Sequence, residues 1–279
     1  MSTTNVNLSS SISQNLYSLQ NIKSNMDTTG YKLSTGLKVN SALDDPIAYF
    51  ASQDETQRAT DLSSLKDSMS EAIQTIKAAN EGIESIKDLI ADAKSLAKSA
   101  LASSDDDTRE DYLGQFNTLL EQIDDLASDS GYGGVNLLGG TTESLTVVFD
   151  ETGDSTITLN GVDASSTGLS LTSQTSGSWA DTSAGDTAIN AVITLLDAAK
   201  TTLQSDAKSL STSLSTVTAR QNFTSSMINI LNTGASNLIS ADTNEESAKL
   251  TTLQTQQQLS IQSLSIANSA AQAVLSLFS

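Results

Sequence analysis

One apolar seam restricts the fold of this chain more than any other feature of its sequence. From Leu62 to Leu101, alternating steps of three and four residues always meet an apolar side chain. The positions are Leu62, Leu65, Met69, Ala72, Ile76, Ala79, Ile83, Ile86, Ile90, Ala93, Ala97 and Ala100. Such a seam predicts a coiled-coil-like helix of about 58 Å, far longer than an average globular helix. Apolar neighbours such as Leu89 and Leu96 widen the stripe, so this helix is expected to contact several partners.

The composition favours long helices and excludes most enzyme chemistry. A single proline in 279 residues leaves the helices almost without breaks. The absence of Cys and His removes thiol nucleophiles, thiolate or imidazole metal sites and Ser-His-Asp triads. The net charge of -19 opposes binding to nucleic acid. We therefore predict a protein that is not an enzyme and has no catalytic residue, cofactor, metal or nucleic-acid partner.

Two weaker motifs have features of binding sites. The carboxylates of Asp44-Asp45 and Asp105-Asp106-Asp107 lack the alternating ligands of a calcium loop, so helix capping is the favoured interpretation. The glycine-rich run at 131–134 follows a helix instead of a strand, which excludes a dinucleotide-binding loop. It is interpreted as a turn.

Helical periodicity also occurs at both ends of the chain. The first helix carries a stripe of Ile12, Leu16, Leu19, Met26 and Leu33, interrupted at Lys23 and Gly30. The last helix, from about Asp242, carries Leu250, Leu253, Leu264, Ala267, Ala271, Val274 and Phe278. Further helices are predicted from about Thr108 and from Ala188. Two thin terminal helices bury little surface against each other, so their stripes predict association with other copies of the chain.

Between the helical arms, residues 141–187 change character. Helical spacing disappears and Thr, Ser and Gly dominate. Residues 145–149 and 156–159 are predicted to form short strands, and Asn160-Gly161 is a strong hairpin-turn signal. The predicted fold is thus mainly α, with long coiled-coil-like helices from both termini packed together and a small β-hairpin insert.

Several motifs together resemble bacterial flagellin, the subunit of the flagellar filament, and most of all the alphaproteobacterial flagellins. They are the run at 32–42, Asp44-Asp45-Pro46, the run at 134–138, the Gln-rich segment after 246–250, and the ending at 266–268 and 274–278. The resemblance covers roughly residues 1–140 and 188–279 in order. It implies a structural protein that self-assembles into a helical filament and serves as a propeller for motility.

The resemblance also implies a domain division and a set of partners. Residues 1–40 and 242–279 would form the inner domain usually called D0, and 41–140 with 188–241 the surrounding D1 domain. Residues 141–187 leave no room for large outer domains. Filament cap, hook-junction proteins and an export chaperone at the C-terminal helix are expected partners. The implied location is the extracellular flagellum, reached by type III export without a cleaved signal peptide.

One segment departs from the family pattern. In flagellins that an innate Toll-like receptor recognises, the long helix carries a leucine-glutamine-arginine-valine-arginine-glutamate-leucine stretch. The matching residues here are Ile90, Ala91, Asp92, Ala93, Lys94, Ser95 and Leu96, so an arginine is replaced by Asp92 and the glutamate by Ser95. Because the planar guanidinium is lost with a charge reversal, this degenerate segment predicts weak recognition.

Two other functions are compatible with these sequence features. A hook–filament junction protein would share flagellin-like termini. A type III secreted coiled-coil effector would act on host membranes without assembling. Met1–Ser11 has no signal-peptide pattern, and no apolar run is long enough for membrane insertion.

Overall fold

The computed structural model describes residues 10–277, and the side chains of residues 12–270, 272 and 273. Within that range the elements in chain order are α1 (Ser10–Thr35), α2 (Pro46–Ala102), α3 (Asp106–Asp129), β1 (Ser144–Val148), β2 (Thr156–Asn160), α4 (Ser183–Ile239) and α5 (Thr243–Leu277). The prediction of a mainly α fold with long helices and a small β-hairpin is confirmed.

The chain divides into two compact units, each described here by itself. The terminal unit takes the chain up to Gln57 and from Ile230 onward, and the central unit comprises Arg58–Asn229. The domain boundaries expected from the sequence, at residues 40 and 242, stay predictions.

The core of the central unit is built around the seam of α2. Eleven of its twelve apolar positions are buried, and Leu65 is partly buried. Leu113, Phe116, Leu120 and Ile123 of α3 and Ile189, Leu196, Leu203 and Val217 of α4 belong to the same cluster. Burying one leucine or isoleucine side chain contributes about 1.5–3 kcal/mol, so the seam and the helices that face it together stabilise this unit.

An aromatic pair joins the segment that precedes α4 to this core. The side chain of Trp179 is fully buried, and its ring centroid lies 5.2 Å from that of Phe116. Aromatic rings at this separation add a favourable contact beyond the area they bury. The otherwise polar segment is thereby held against α3.

The β-hairpin closes at a different place from the one predicted. β1 and β2 are antiparallel, with Ser144 opposite Asn160 and Val148 opposite Thr156, so the connection runs through residues 149–155. In this loop the Asp150 carboxylate accepts a hydrogen bond from the Ser155 N–H, and Gly153 has a φ of 79°. The prediction of a hairpin turn at Asn160-Gly161 was wrong, because Asn160 ends β2. The hydrogen bonds of Asp150 and the positive φ of Gly153 shape the turn that closes the hairpin instead.

Gly82 gives a first testable prediction, on packing inside α2. Glycine in a helix interior usually costs about 1 kcal/mol relative to alanine. Here, however, an added Cβ would overlap the Ser130 hydroxyl and lie 2.8 Å from Leu138 Cδ1. We therefore expect Gly82→Ala to lower the free energy of unfolding by about 1–3 kcal/mol in urea titrations.

Gly114 of α3 is the matched control for that substitution. An added Cβ there meets nothing within 4 Å, so Gly114→Ala is expected to stabilise the chain by about 0.5–1 kcal/mol. Equal stabilisation by both substitutions would contradict the steric argument.

Candidate assembly surface

The two terminal helices pack along each other. α1 contacts α5, and the Asn15 amide lies 3.5 Å from the Ser263 hydroxyl across the pair. The periodic residues on the two helices are mostly shielded by this pairing. Ile12 and Leu253 are buried, and Leu19, Met26, Leu33, Leu250, Leu264 and Ala267 are half-buried. Leu16 is 40% exposed. The side chains of Ala271 and Val274, and all of Phe278, lie outside the described residues.

A short backbone connection fixes where the helix pair ends. Gly36 follows α1 with a φ of 70°, a conformation that glycine adopts without strain. The Lys38 N–H donates to the Ile239 carbonyl at 2.7 Å, and the Ala241 N–H donates to the Gly36 carbonyl at 2.9 Å. The end of α1 is therefore tied to the residues that join α4 to α5.

The acidic pair after α1 makes capping hydrogen bonds. One Asp44 oxygen accepts from the N–H groups of Asn40 and Ser41, each at 3.0 Å. The Asp45 carboxylate accepts from Ile47 N–H and Ala48 N–H, also at 3.0 Å, and thus caps the start of α2. Along the described residues, no group of three or more Asp or Glu side chains could hold a metal ion.

Asp44 gives a second prediction, on pH. Hydrogen bonds from Asn40 N–H and Ser41 N–H keep the pKa of Asp44 below the ordinary 3.8. Because this pKa is lowered in the folded state, the carboxylate stabilises the connection above about pH 4, and this contribution is lost as the pH falls through the folded value. We expect the amide protection factors of Asn40 and Ser41, measured by hydrogen exchange, to fall in that range.

Asp44→Ala is the comparison variant for this measurement. In this variant, the protection factors of the Asn40 and Ser41 amides should already be low at neutral pH and should not fall further in acid. Unchanged protection in the variant would contradict the assignment.

The terminal unit leaves large apolar side chains exposed on both helices. Tyr17 and Tyr31 of α1 are 67% and 58% exposed, and Leu259 and Ile266 of α5 are 64% and 63% exposed. Leu43, Ile47, Phe50, Ile230 and Ile261 of the same unit are also exposed. In the central unit the exposed large apolar side chains are only Tyr132, Leu195 and Phe223 among the described residues. The exposed apolar side chains of the terminal unit make it the candidate assembly surface.

Most of this exposed set was missed by sequence reasoning. The predicted stripes follow the three-four register, and the pairing of α1 with α5 largely covers them. Tyr17, Tyr31, Leu259 and Ile266 lie off that register. Their signal in the sequence is an apolar residue outside the seam of an otherwise polar helix.

The receptor-like segment lies on the α2 helix of the central unit. Ile90 is buried, Leu96 is half-buried, and Asp92 and Ser95 are exposed. The Lys94 ammonium is bonded to the Asp197 carboxylate of α4. Where the recognised flagellins carry arginine and glutamate, this segment thus exposes the acidic Asp92 and the neutral Ser95.

The described helices include none that is long and apolar enough to cross a membrane.

Comparisons with known proteins match both ends of the chain. The family model of the bacterial flagellin N-terminal helical region matches residues 5–143, and that of the C-terminal helical region matches residues 193–278. Flagellin FljK of Caulobacter vibrioides is 31% identical over 230 residues, which are 81% of each chain. Flagellin FljO of the same organism is 31% identical over 245 residues, 86% of each chain.

Two further comparisons give more distant matches. A flagellin of Listeria innocua is 27% identical over 150 residues, which are 53% of this chain and 52% of that one. The crystal structure of Bacillus cereus flagellin aligns with a TM-score of 0.36 and 19% identity, covering 67% of this chain and 94% of that chain.

Proposed function

The chain belongs to the bacterial flagellin family, and on that premise we propose that its terminal helix pair makes the contacts that hold copies together. As a flagellin it is a structural subunit that self-assembles into the extracellular flagellar filament used for motility. The prediction of a flagellin resembling those of alphaproteobacteria is confirmed by the Caulobacter relatives. The matches described above are named flagellins, and none of them favours a junction protein or a secreted effector.

The observation that carries the proposal is the exposed apolar set on α1 and α5. These side chains stay in water when α1 and α5 pair, although they include tyrosine, leucine and isoleucine. Burial against other copies would recover the hydrophobic free energy that the isolated subunit lacks, about 25 cal/mol per Å² of apolar surface. The central unit buries its seam internally and therefore needs no second copy to do so.

The test is polymerisation of the purified protein, induced by salt or by filament seeds and examined by electron microscopy. The full-length chain is compared with a chain that lacks residues 1–40 and 242–279. Long tubes from the full-length chain alone are expected. Tubes from the shortened chain would show that the assembly contacts lie elsewhere, and soluble full-length protein under all conditions would overturn the proposal.

The remaining partners follow from the family and from the exposed helix. An export chaperone binds α5, whose Leu259, Ile261 and Ile266 offer an apolar surface to it. By resemblance to the family, the filament cap and the hook-junction proteins are further partners, and export proceeds without a cleaved signal peptide. The family is structural, and on this proposal the chain has no catalytic role.

The receptor-like segment gives a third prediction. We expect purified monomer to activate the flagellin-sensing Toll-like receptor at least tenfold more weakly than a flagellin with the arginine-containing stretch. The acidic Asp92 stands where that stretch has an arginine, so the charge presented to the receptor is reversed. A cell-reporter assay with a dilution series measures this. Full-strength activation would contradict it, and a gain of activity in Asp92→Arg with Ser95→Glu would support it.

A further inference from the structure

Five of the seven lysines of the central unit line two neighbouring pockets between α2 and α4, which together form one groove. α2 and α4 alone line this groove, and its walls carry Lys87, Lys94, Lys98, Lys200 and Lys208. These are five of the 14 basic residues in a chain of net charge -19. Two carboxylates also line it, and each is already bonded to a lysine, Glu84 to Lys87 and Asp197 to Lys94. The lining residues therefore carry a net positive charge.

Three of these lysines form no salt bridge with another described residue. Lys98, Lys200 and Lys208 take part in none of the ion pairs found between the described residues. All three are exposed to solvent. The groove is thus a cationic surface open to a partner of opposite sign, although Asp197 already interacts at longer range with Lys98 and Lys200.

Helix α3 presents the opposite charge. Its 24 residues contain eight carboxylates and one cation, Arg109, which is 2% exposed and bonded internally. Asp107, Asp111, Asp125 and Asp129 are exposed and recur at spacings that place them along one helix face. The outer face of α3 is therefore acidic without any compensating lysine or arginine of its own.

The two charged surfaces do not meet within one copy. The buried residues of α3 face the core, so its acidic face points away from that core. No α3 residue lines the lysine groove, and no ion pair in the described structure joins the two. Each subunit therefore carries one basic and one acidic face. The two are complementary in charge but do not contact each other within the subunit.

We propose that the α2/α4 lysine groove of one copy binds the acidic α3 face of a second copy. The inference rests on the proposed function, since it concerns contacts inside the polymer. An open helical polymer requires a heterologous interface, in which two different faces of the subunit meet. Two complementary faces on one chain satisfy this requirement. Electrostatic complementarity sets the register of such contacts and speeds encounter, while the apolar terminal helices supply the hydrophobic burial.

Charge reversal tests the pairing. One variant carries Lys98→Glu with Lys208→Glu in the groove, and another carries Asp111→Lys with Asp125→Lys on α3. We expect each to raise the critical concentration for seeded polymerisation at low salt by at least tenfold. Lys66→Glu with Lys77→Glu is the matched control for the groove variant, because it changes the net charge by the same amount at two positions of α2 outside the groove, and it should assemble like the wild type.

Two rescues separate an interface from general damage. A mixture of the two variants should assemble again. The reversed groove of one variant matches the reversed α3 face of the other, and their unaltered faces match as well. A chain carrying all four substitutions should also assemble by itself. Both effects should weaken at high salt, because exposed charges are screened there.

The outcomes distinguish the two proposals. Failure of the wild-type chain to polymerise would overturn the proposed function. Polymerisation of the wild type together with unimpaired reversal variants, or with impaired variants that neither rescue restores, would overturn only the pairing of groove and helix.

Discussion

Leu259→Gln combined with Ile266→Gln is expected to abolish filament formation at concentrations where the unaltered chain assembles. Both side chains are more than 60% exposed in the isolated subunit. Each contributes about 1.5–3 kcal/mol when it is buried, so losing two per subunit should raise the critical concentration at least 100-fold. Glutamine keeps the helix propensity of α5, so the helix itself should persist. Light scattering after seeding, with electron microscopy of the products, measures the effect.

Leu195→Gln combined with Phe223→Gln is the control for this variant. These residues are exposed in the central unit, at 39% and 57%. If assembly depends on the terminal helices, the control forms filaments with a critical concentration within about threefold of the unaltered chain. Equal impairment of both variants would contradict the proposal, because exposed apolar residues would then affect assembly wherever they lie in the subunit.

Arg109→Met is expected to destabilise the central unit by about 3–5 kcal/mol. The buried guanidinium donates to the carbonyl oxygens of Ser103 at 2.7 Å and Trp179 at 3.2 Å. It also donates to the Asp186 carboxylate at 2.9 Å and lies 3.3 Å from the Asp181 carboxylate. Methionine replaces the volume of the stem but none of these hydrogen bonds. The orphaned acceptors around it account for the loss.

Urea unfolding followed by the fluorescence of Trp179 measures this directly, since that ring lies beside the site. Arg58→Met is the control, because the Arg58–Glu151 pair is partly exposed and such pairs contribute about 1 kcal/mol or less. Arg109→Lys should recover only part of the loss, since an ammonium lacks the planar fork. A loss below about 1 kcal/mol in Arg109→Met would contradict the assigned role.

The contrast between the α2 seam and Arg109 explains how far the sequence could predict this structure. The seam depends on spacing within one helix, so its periodicity indicated the helix and the buried face directly. Arg109 follows three aspartates and looks like a solvated residue. Its partners Trp179 and Asp186 lie 70 and 77 residues away, and only the tertiary fold brings them together.

The assembly surface shows the same dependence. The stripes on α1 and α5 were visible as apolar spacing, but which apolar residues remain exposed depends on how the two helices pair. Tyr17 and Leu259 could be assigned to the outer surface only after that pairing was known. The charged faces of α3 and of the α2/α4 groove likewise require the packing of three helices.

The pairing of α1 with α5 also has a consequence for biosynthesis. Asn15 and Ser263, which meet across this pair, are separated by 248 residues along the chain. At a translation rate of about 5–20 residues per second, the first helix waits about 12–50 s before its partner leaves the ribosome. Contacts this distant in sequence form late, because a long loop must close first. The terminal unit thus forms only after α5 has been synthesised, which leaves an interval in which α1 lacks its partner helix.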